Sequence, residues 1–271
     1  MLATAFPASV HAMQMNGHIN GPSTPLLAYT MSCVGSALGL SAMSRARATT
    51  GWIRWRWLIL AAVSIGGTGI WVMHFIAMLG YGITGIQITY DLTTTIISML
   101  IAIVVVGIGL AIVVARGASL PALATGGFIT GIGVASMHYL GISAMRMPAS
   151  VHYRPLIVLA SVAIAVVAAA AALWAAMNIR GVFATIGAAM IMGVAVTGMH
   201  YTGIAAMLVD SAPAQTASGM TASSLLEPLI GGISLTTVVI LFVVGLAATE
   251  QDLLEQAEIR ADLQKLAERN N

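Results

Sequence analysis

Seven apolar runs, each long enough to span a bilayer, decide what this chain can become. They extend from Pro25 to Met43, Trp57 to Leu79, Leu92 to Ala115, Pro121 to Ala144, Pro155 to Met177, Phe183 to Met207 and Pro228 to Ala248. Each holds roughly 19–25 residues, the helical length that crosses a hydrocarbon core of about 30 Å. In lipid, backbone N–H and C=O groups must be bonded within the chain, so such runs are read as helices. Only 7% of the 271 residues are charged, against about 25% in soluble domains, too few to solvate a globular surface. The sequence therefore predicts an all-α membrane protein with seven transmembrane helices. Residues 1–24 form an extracytoplasmic N-terminal segment, 25–248 the helical domain and 249–271 a cytoplasmic helix. Pro25, Pro121, Pro155 and Pro228 are placed in first turns, where a missing N–H costs least.

Lysine and arginine set the orientation. Arg45, Arg47, Arg54 and Arg56 fall between the first two runs, Arg116 and Arg180 before the fourth and sixth, and Arg260, Lys265 and Arg269 in the tail. The opposite side has Arg146 and Arg154, and residues 1–24 have neither lysine nor arginine. This places the N-terminus outside and the C-terminus in the cytoplasm. The stretch lacks the basic start of a cleaved signal peptide. Cys33 is the single cysteine, so no intramolecular disulfide can form. A net charge of +2 reflects topology, and no nucleic-acid footprint is present.

The chain repeats itself. Gly67-Thr68-Gly69-Ile70-Trp71-Val72-Met73-His74-Phe75, Gly131-Ile132-Gly133-Val134-Ala135-Ser136-Met137-His138-Tyr139 and Gly193-Val194-Ala195-Val196-Thr197-Gly198-Met199-His200-Tyr201 end the second, fourth and sixth runs. The histidines are 64 and 62 residues apart, two spans per unit, so all three motifs approach the same outer face. Three tandem two-helix repeats plus a seventh helix suggest a pseudo-threefold bundle with His74, His138 and His200 at one depth. Upstream glycines would let neighbouring helices approach closely.

Imidazole suits copper, iron and zinc, and thioether selects soft ions, above all Cu(I). Met73, Met137 and Met199 adjoin the histidines, but adjacent helical residues point about 100° apart, leaving these three between ligand and core filler. Met78, Met145 and Met207, four or seven positions after a histidine, are the better same-face partners. A trigonal or four-coordinate copper with an open position would bind a small neutral gas. The bland alternative is that the imidazoles bond across the helices and fasten the bundle, although ionisable groups inside a membrane tend to be functional. His11, Met13, Met15 and His18 on the outer N-terminal segment could capture copper, as could Met147 and His152 beyond the fourth run. Asp91 and Asp210 could orient the rings or be solvated loop charges.

Met-His-Phe at 73–75, Met-His-Tyr at 137–139 and Met199-His200-Tyr201-Thr202 resemble the MHYT family of bacterial membrane sensors, over roughly residues 25–248. The first repeat departs, with Phe75 in place of tyrosine. The resemblance implies a bacterial inner-membrane protein with a copper site that senses a diatomic gas such as oxygen, carbon monoxide or nitric oxide. It also implies an output domain after the last helix, often a cyclic-di-GMP enzyme or a histidine kinase.

After Ala248 the chain turns polar, with Gln256, Ile259, Leu263 and Leu266 in 3-4-3 spacing, the seam of a short coiled coil. This is read as a solvated helix or as a signalling helix of a homodimer. No catalytic fold follows, so output falls to a missing domain or a partner protein. No nucleophile–base pair or phosphate loop suggests an enzyme. Haem or redox chemistry and copper transport are the alternative functions. A retinal protein is excluded, because Lys265 is the only lysine and lies outside the spans.

Overall fold

The structure, a computed structural model, describes residues 14–15, 18–19, 21–83, 87–211 and 220–246. His11, Met13 and the 249–271 tail lie outside the described residues. Seven helices follow the seven runs. They are α1 (Ser23–Ala48), α2 (Gly51–Leu79), α3 (Leu92–Arg116), α4 (Leu120–Ser143), α5 (Pro155–Asn178), α6 (Val182–Ala205) and α7 (Ala222–Leu246). A 24-residue helix such as α4 is about 36 Å long, enough to cross the hydrocarbon. Six helices, α1 to α6, are long and apolar enough to span a membrane, and α7 carries a shorter apolar stretch, Glu227–Val243. The chain is a multi-pass membrane protein.

The start of α7 corrects the reading from sequence. It begins at Ala222, so Pro228 sits inside the helix and not in its first turn. The Thr221 hydroxyl accepts a hydrogen bond from the Ser224 N–H at 3.3 Å, capping the helix upstream of the proline.

Helices α1 to α6 close into a ring in which each packs on its sequence neighbours and α6 returns to α1. The motif helices α2, α4 and α6 alternate round this ring, and their motif-bearing ends also meet one another. The upstream glycines act as expected. A Cβ on Gly66 would stand 2.7 Å from the Ala102 carbonyl oxygen, one on Gly131 2.7 Å from the Val166 nitrogen, and one on Gly193 2.6 Å from Cys33 Sγ. Substituents at these places would force the helices apart.

Two features set α2 apart. Residues Val63–Val72 form a π-helical segment that ends where Met73-His74 begins, an irregularity often found at functional sites. The same helix holds α7, which lies outside the ring against α1 and α2. Thr68 and Thr237 share a buried hydrogen bond of 2.6 Å.

The all-α expectation needs one addition. Eight short strands occur among the described residues, all at the motif end of the bundle: β1 (Gln14–Met15), β2 (His18–Ile19), β3 (Tyr81–Gly82), β4 (Thr89–Tyr90), β5 (Met145–Arg146), β6 (Ala149–Tyr153), β7 (Met207–Ser211) and β8 (Met220–Thr221). They pair as β1-β7-β6, β2-β3 and β5-β4-β8. Connectors of different repeats are thereby stitched together. Arg45, Arg47, Arg54, Arg56, Arg116 and Arg180 all belong to the opposite end.

Candidate metal centre

His74 projects from the last turns of α2, His138 from α4 and His200 from α6, each after a glycine-rich stretch that lets its helix sit close to its neighbours. The ring closure brings the three side chains to one axis. His74 Nδ1 lies 3.0 Å from His200 Nδ1 and 3.2 Å from His138 Nδ1. One ring nitrogen from each histidine falls within 4.8 Å of the other two. The ring centroids are 4.9–5.0 Å apart and the planes cross at 78–87°. All three residues are buried, with at most 1% exposure.

This geometry is poorly satisfied by hydrogen bonds alone. Each neutral imidazole has one N–H and one lone pair, so a proton on His74 Nδ1 can serve one neighbour well and leaves the other unserved. A single cation on the axis accepts all three lone pairs. Three imidazole nitrogens in one plane at about 2.0–2.1 Å from an ion stand about 3.5 Å apart, close to the two separations from His74 Nδ1. The donor set therefore fits a metal ion. His74 Nε2 and His138 Nε2 are buried without hydrogen-bond partners, so among the described residues no carboxylate or carbonyl holds these ring edges.

Packing orients them instead. The outer edge of the His74 ring lies on Gly141 and that of His138 on Gly203, so close that a Cβ at either glycine would overlap Nε2. Gly141 and Gly203 each stand three residues after the histidine of their own repeat, and Ala77 occupies that place in the first. His74 and His138 are thus each seated by the following repeat. The role of these glycines was not read from sequence, although their recurrence at one offset was the available signal.

The methionines divide. Met73, Met137, Met199 and Met78 are buried in the helices. Met145 and Met207 are not helical residues: α4 ends at Ser143 and α6 at Ala205, and the two methionines lie in β5 and β7 paired with Tyr90 and Tyr153. Their placement seven residues along a helical face fails because the helix stops before reaching them. Asp91 and Asp210 are occupied elsewhere. Asp91 caps α3, accepting from the Thr94 hydroxyl at 2.6 Å and the Thr94 N–H at 2.8 Å, and faces Arg146 at 3.9 Å. The Thr94 hydroxyl, then the Thr94 N–H, hold its carboxyl below the usual carboxylate range. Asp210 lies 3.8 Å from His152.

The aromatic residue after each histidine is also used unequally. The Tyr139 hydroxyl lies 2.6 Å from Ser161 Oγ on α5. In the first repeat Phe75 has no hydroxyl, and Trp71 Nε1 donates to Ser98 Oγ on α3 at 3.0 Å instead. The Tyr201 hydroxyl is buried without a partner among the described residues.

The repeats that carry His74 and His138 match a family model. The model of the MHYT repeat, a bacterial signalling protein N-terminal repeat, fits residues 67–126 and 131–189. The chain belongs to the MHYT family. The matched stretches contain His74 and His138, and His200 lies beyond them in the third copy of the motif. Among curated proteins, the chain is 41% identical over 155 residues to MucR of Pseudomonas aeruginosa, a bifunctional diguanylate cyclase/cyclic di-GMP phosphodiesterase, covering 55% of this chain and 22% of MucR. It is 35% identical over 211 residues to the cyclic di-GMP phosphodiesterase NbdA of the same species, covering 75% of this chain and 26% of NbdA. The signalling protein YkoW of Bacillus subtilis is 27% identical over 187 residues, 66% of this chain and 23% of YkoW. The MHYT chain thus spans about a quarter of each of these relatives. No solved structure matches it.

Proposed function

We propose that this MHYT bundle is a sensor that holds one metal ion, copper by its donor chemistry, through Nδ1 of His74, His138 and His200. The observation that carries the reading is the convergence of three buried Nδ1 atoms on one axis. Copper held there would supply a soft, incompletely filled coordination sphere for a small neutral ligand such as oxygen, carbon monoxide or nitric oxide. Met73, Met137, Met199 and Met78 stand on the same helices as candidate further donors. The arginine-rich end faces the cytoplasm of the bacterial inner membrane, and the triad lies under the outer headgroups.

The reading is of a sensor and not of an enzyme. Transmission falls to α2, whose π-helical segment joins His74 to the Thr68–Thr237 bond with α7. Movement of the His74 ring is passed through that segment to α7, the helix that leads toward the cytoplasmic tail. By likeness to MucR and NbdA, the signal is turned into cyclic-di-GMP turnover by an output domain or partner. Haem fits the geometry less well, because the rings already stand at metal-bridging distance from one another with no room for a porphyrin between them. A copper transporter would need polar groups along the axis, and the interior beneath the triad is apolar.

Elemental analysis of purified protein, beside a His138→Ala, His200→Ala double variant, tests the assignment. The wild type is expected to hold a single copper per chain and the variant none. Equal metal in both, or none in either, refutes it.

A further inference from the structure

A cavity lies on the axis of the six-helix ring, directly inward of the histidines. The residue one turn before each histidine, Ile70, Val134 and Val196, lines it. These positions lie about 6 Å inward of their histidines along the helix, so the cavity begins where the triad ends. Ala169 and Leu173 of α5 and Met199 of α6 continue the wall. Its volume is about 50 Å³. Only Ser36 and Thr130 bring hydroxyls to the lining, and the Thr130 hydroxyl is turned away to the Val105 carbonyl oxygen at 3.2 Å. No charged side chain lines it.

We propose that this chamber is a binding site in its own right for a small, uncharged, apolar molecule the size of a diatomic or a noble-gas atom. A cavity of this kind needs only roughly 10–15 Å³ to hold a water, but the water also needs two to four polar partners, and apolar cavities remain dry. The chamber has the room but not the partners. A gas molecule, by contrast, gains dispersion contacts with atoms now facing a void. Ions and hydrogen-bonding solutes lose hydration there without replacement. The chamber therefore selects against water and ions, and Ile70, Val134 and Val196 stand between it and the histidines. Its role as the antechamber of a sensor rests on the proposed function; the binding itself does not.

Xenon is the probe, because it needs no metal. In protein carrying ¹³C-methyl alanine, the methyl signals of Ala165 and Ala172, both on the lining, are expected to shift saturably with xenon pressure. Alanines facing lipid should drift only linearly. The shifts should be the same in metal-free protein, so that failure of the metal assignment is seen separately. Ala169→Leu, and Ala195→Leu from a second helix, fill the chamber and should weaken xenon binding at least tenfold while metal content stays unchanged. Val134→Ala enlarges it and should preserve binding. No saturable shift in the wild type, or full shifts persisting in the filled variants, overturns the proposal.

Discussion

Replacing Gly141 with alanine tests how the triad is held. In the wild type His74 Nε2 has no hydrogen-bond partner among the described residues, and the bare Cα of Gly141 is what the ring edge rests on. A Cβ there would stand 2.9 Å from His74 Cδ2 and 3.3 Å from Cε1, and nearer still to Nε2. Such contacts settle near 3.5–4.0 Å, so the ring, with Nε2 nearest, must retreat by roughly 1 Å or more. Metal sites tolerate about 0.2 Å in ligand position. Metal affinity should therefore fall about 10–100-fold, the range found when a ligand loses its orienting partner. Overpacking costs about 1–3 kcal/mol, partly offset by the higher helix propensity of alanine, worth about 1 kcal/mol, so the bundle should still fold. Gly203→Ala should act likewise through His138, whose Cδ2 and Cε1 would lie 2.8 and 3.1 Å from the new methyl. Gly198→Ala is the control, since nothing lies within 4 Å of a Cβ there. The assay is anaerobic competition for Cu(I) against a chromogenic chelator, with circular dichroism to establish folding. Gly141→Ala and Gly203→Ala proteins that bind metal as tightly as Gly198→Ala would refute the seating of the rings by packing.

Other perturbations have separable outcomes. Thr68→Val should cost about 1 kcal/mol, and a double-mutant cycle with Thr237→Val should give a coupling of about 0.5–1 kcal/mol, read from unfolding in detergent; zero coupling would disconnect α7 from α2. Tyr139→Phe removes the bond to Ser161 and should destabilise by about 1 kcal/mol. Tyr201→Phe removes a hydroxyl without a described partner and should leave stability unchanged or raised in the same assay. The carboxyl of Asp91 is held below its unfolded value of about 3.9, so its ionised cap stabilises α3 above that pH and the benefit disappears as pH falls through the lower folded value. The gap in melting temperature between wild type and Asp91→Ala should thus be constant near neutrality and narrow in acid; a gap that widens in acid would contradict the assignment.

The features most legible in sequence were those imposed by the bilayer and by repetition. Leu92 and Pro155 open their helices as read, and the Met-His spacing alone implied that His74, His138 and His200 would meet. What escaped had no periodic signal. The strands β3, β4 and β5 are two residues long, too short for alternation to register, and β5 and β7, which follow the early ends of α4 and α6, hold Met145 and Met207 off the helical faces. The π-helical stretch Val63–Val72 is as apolar as an α-helix. Proline favours first turns, so Pro228 reads as a helix start in sequence, whereas the cap bond from Ser224 to Thr221 sets the start of α7. The chamber escaped because Ile70, Val134 and Val196 read as ordinary core, and only ring closure shows that they surround a void.

X-ray absorption at the copper edge of the purified, Cu(I)-loaded protein probes the shared axis most directly. Three imidazole nitrogens at about 2.0 Å from a single copper, reduced in each of the His74→Ala, His138→Ala and His200→Ala proteins, is the predicted result. A copper with one imidazole or none, or a spectrum that the three substitutions leave unaltered, would contradict it.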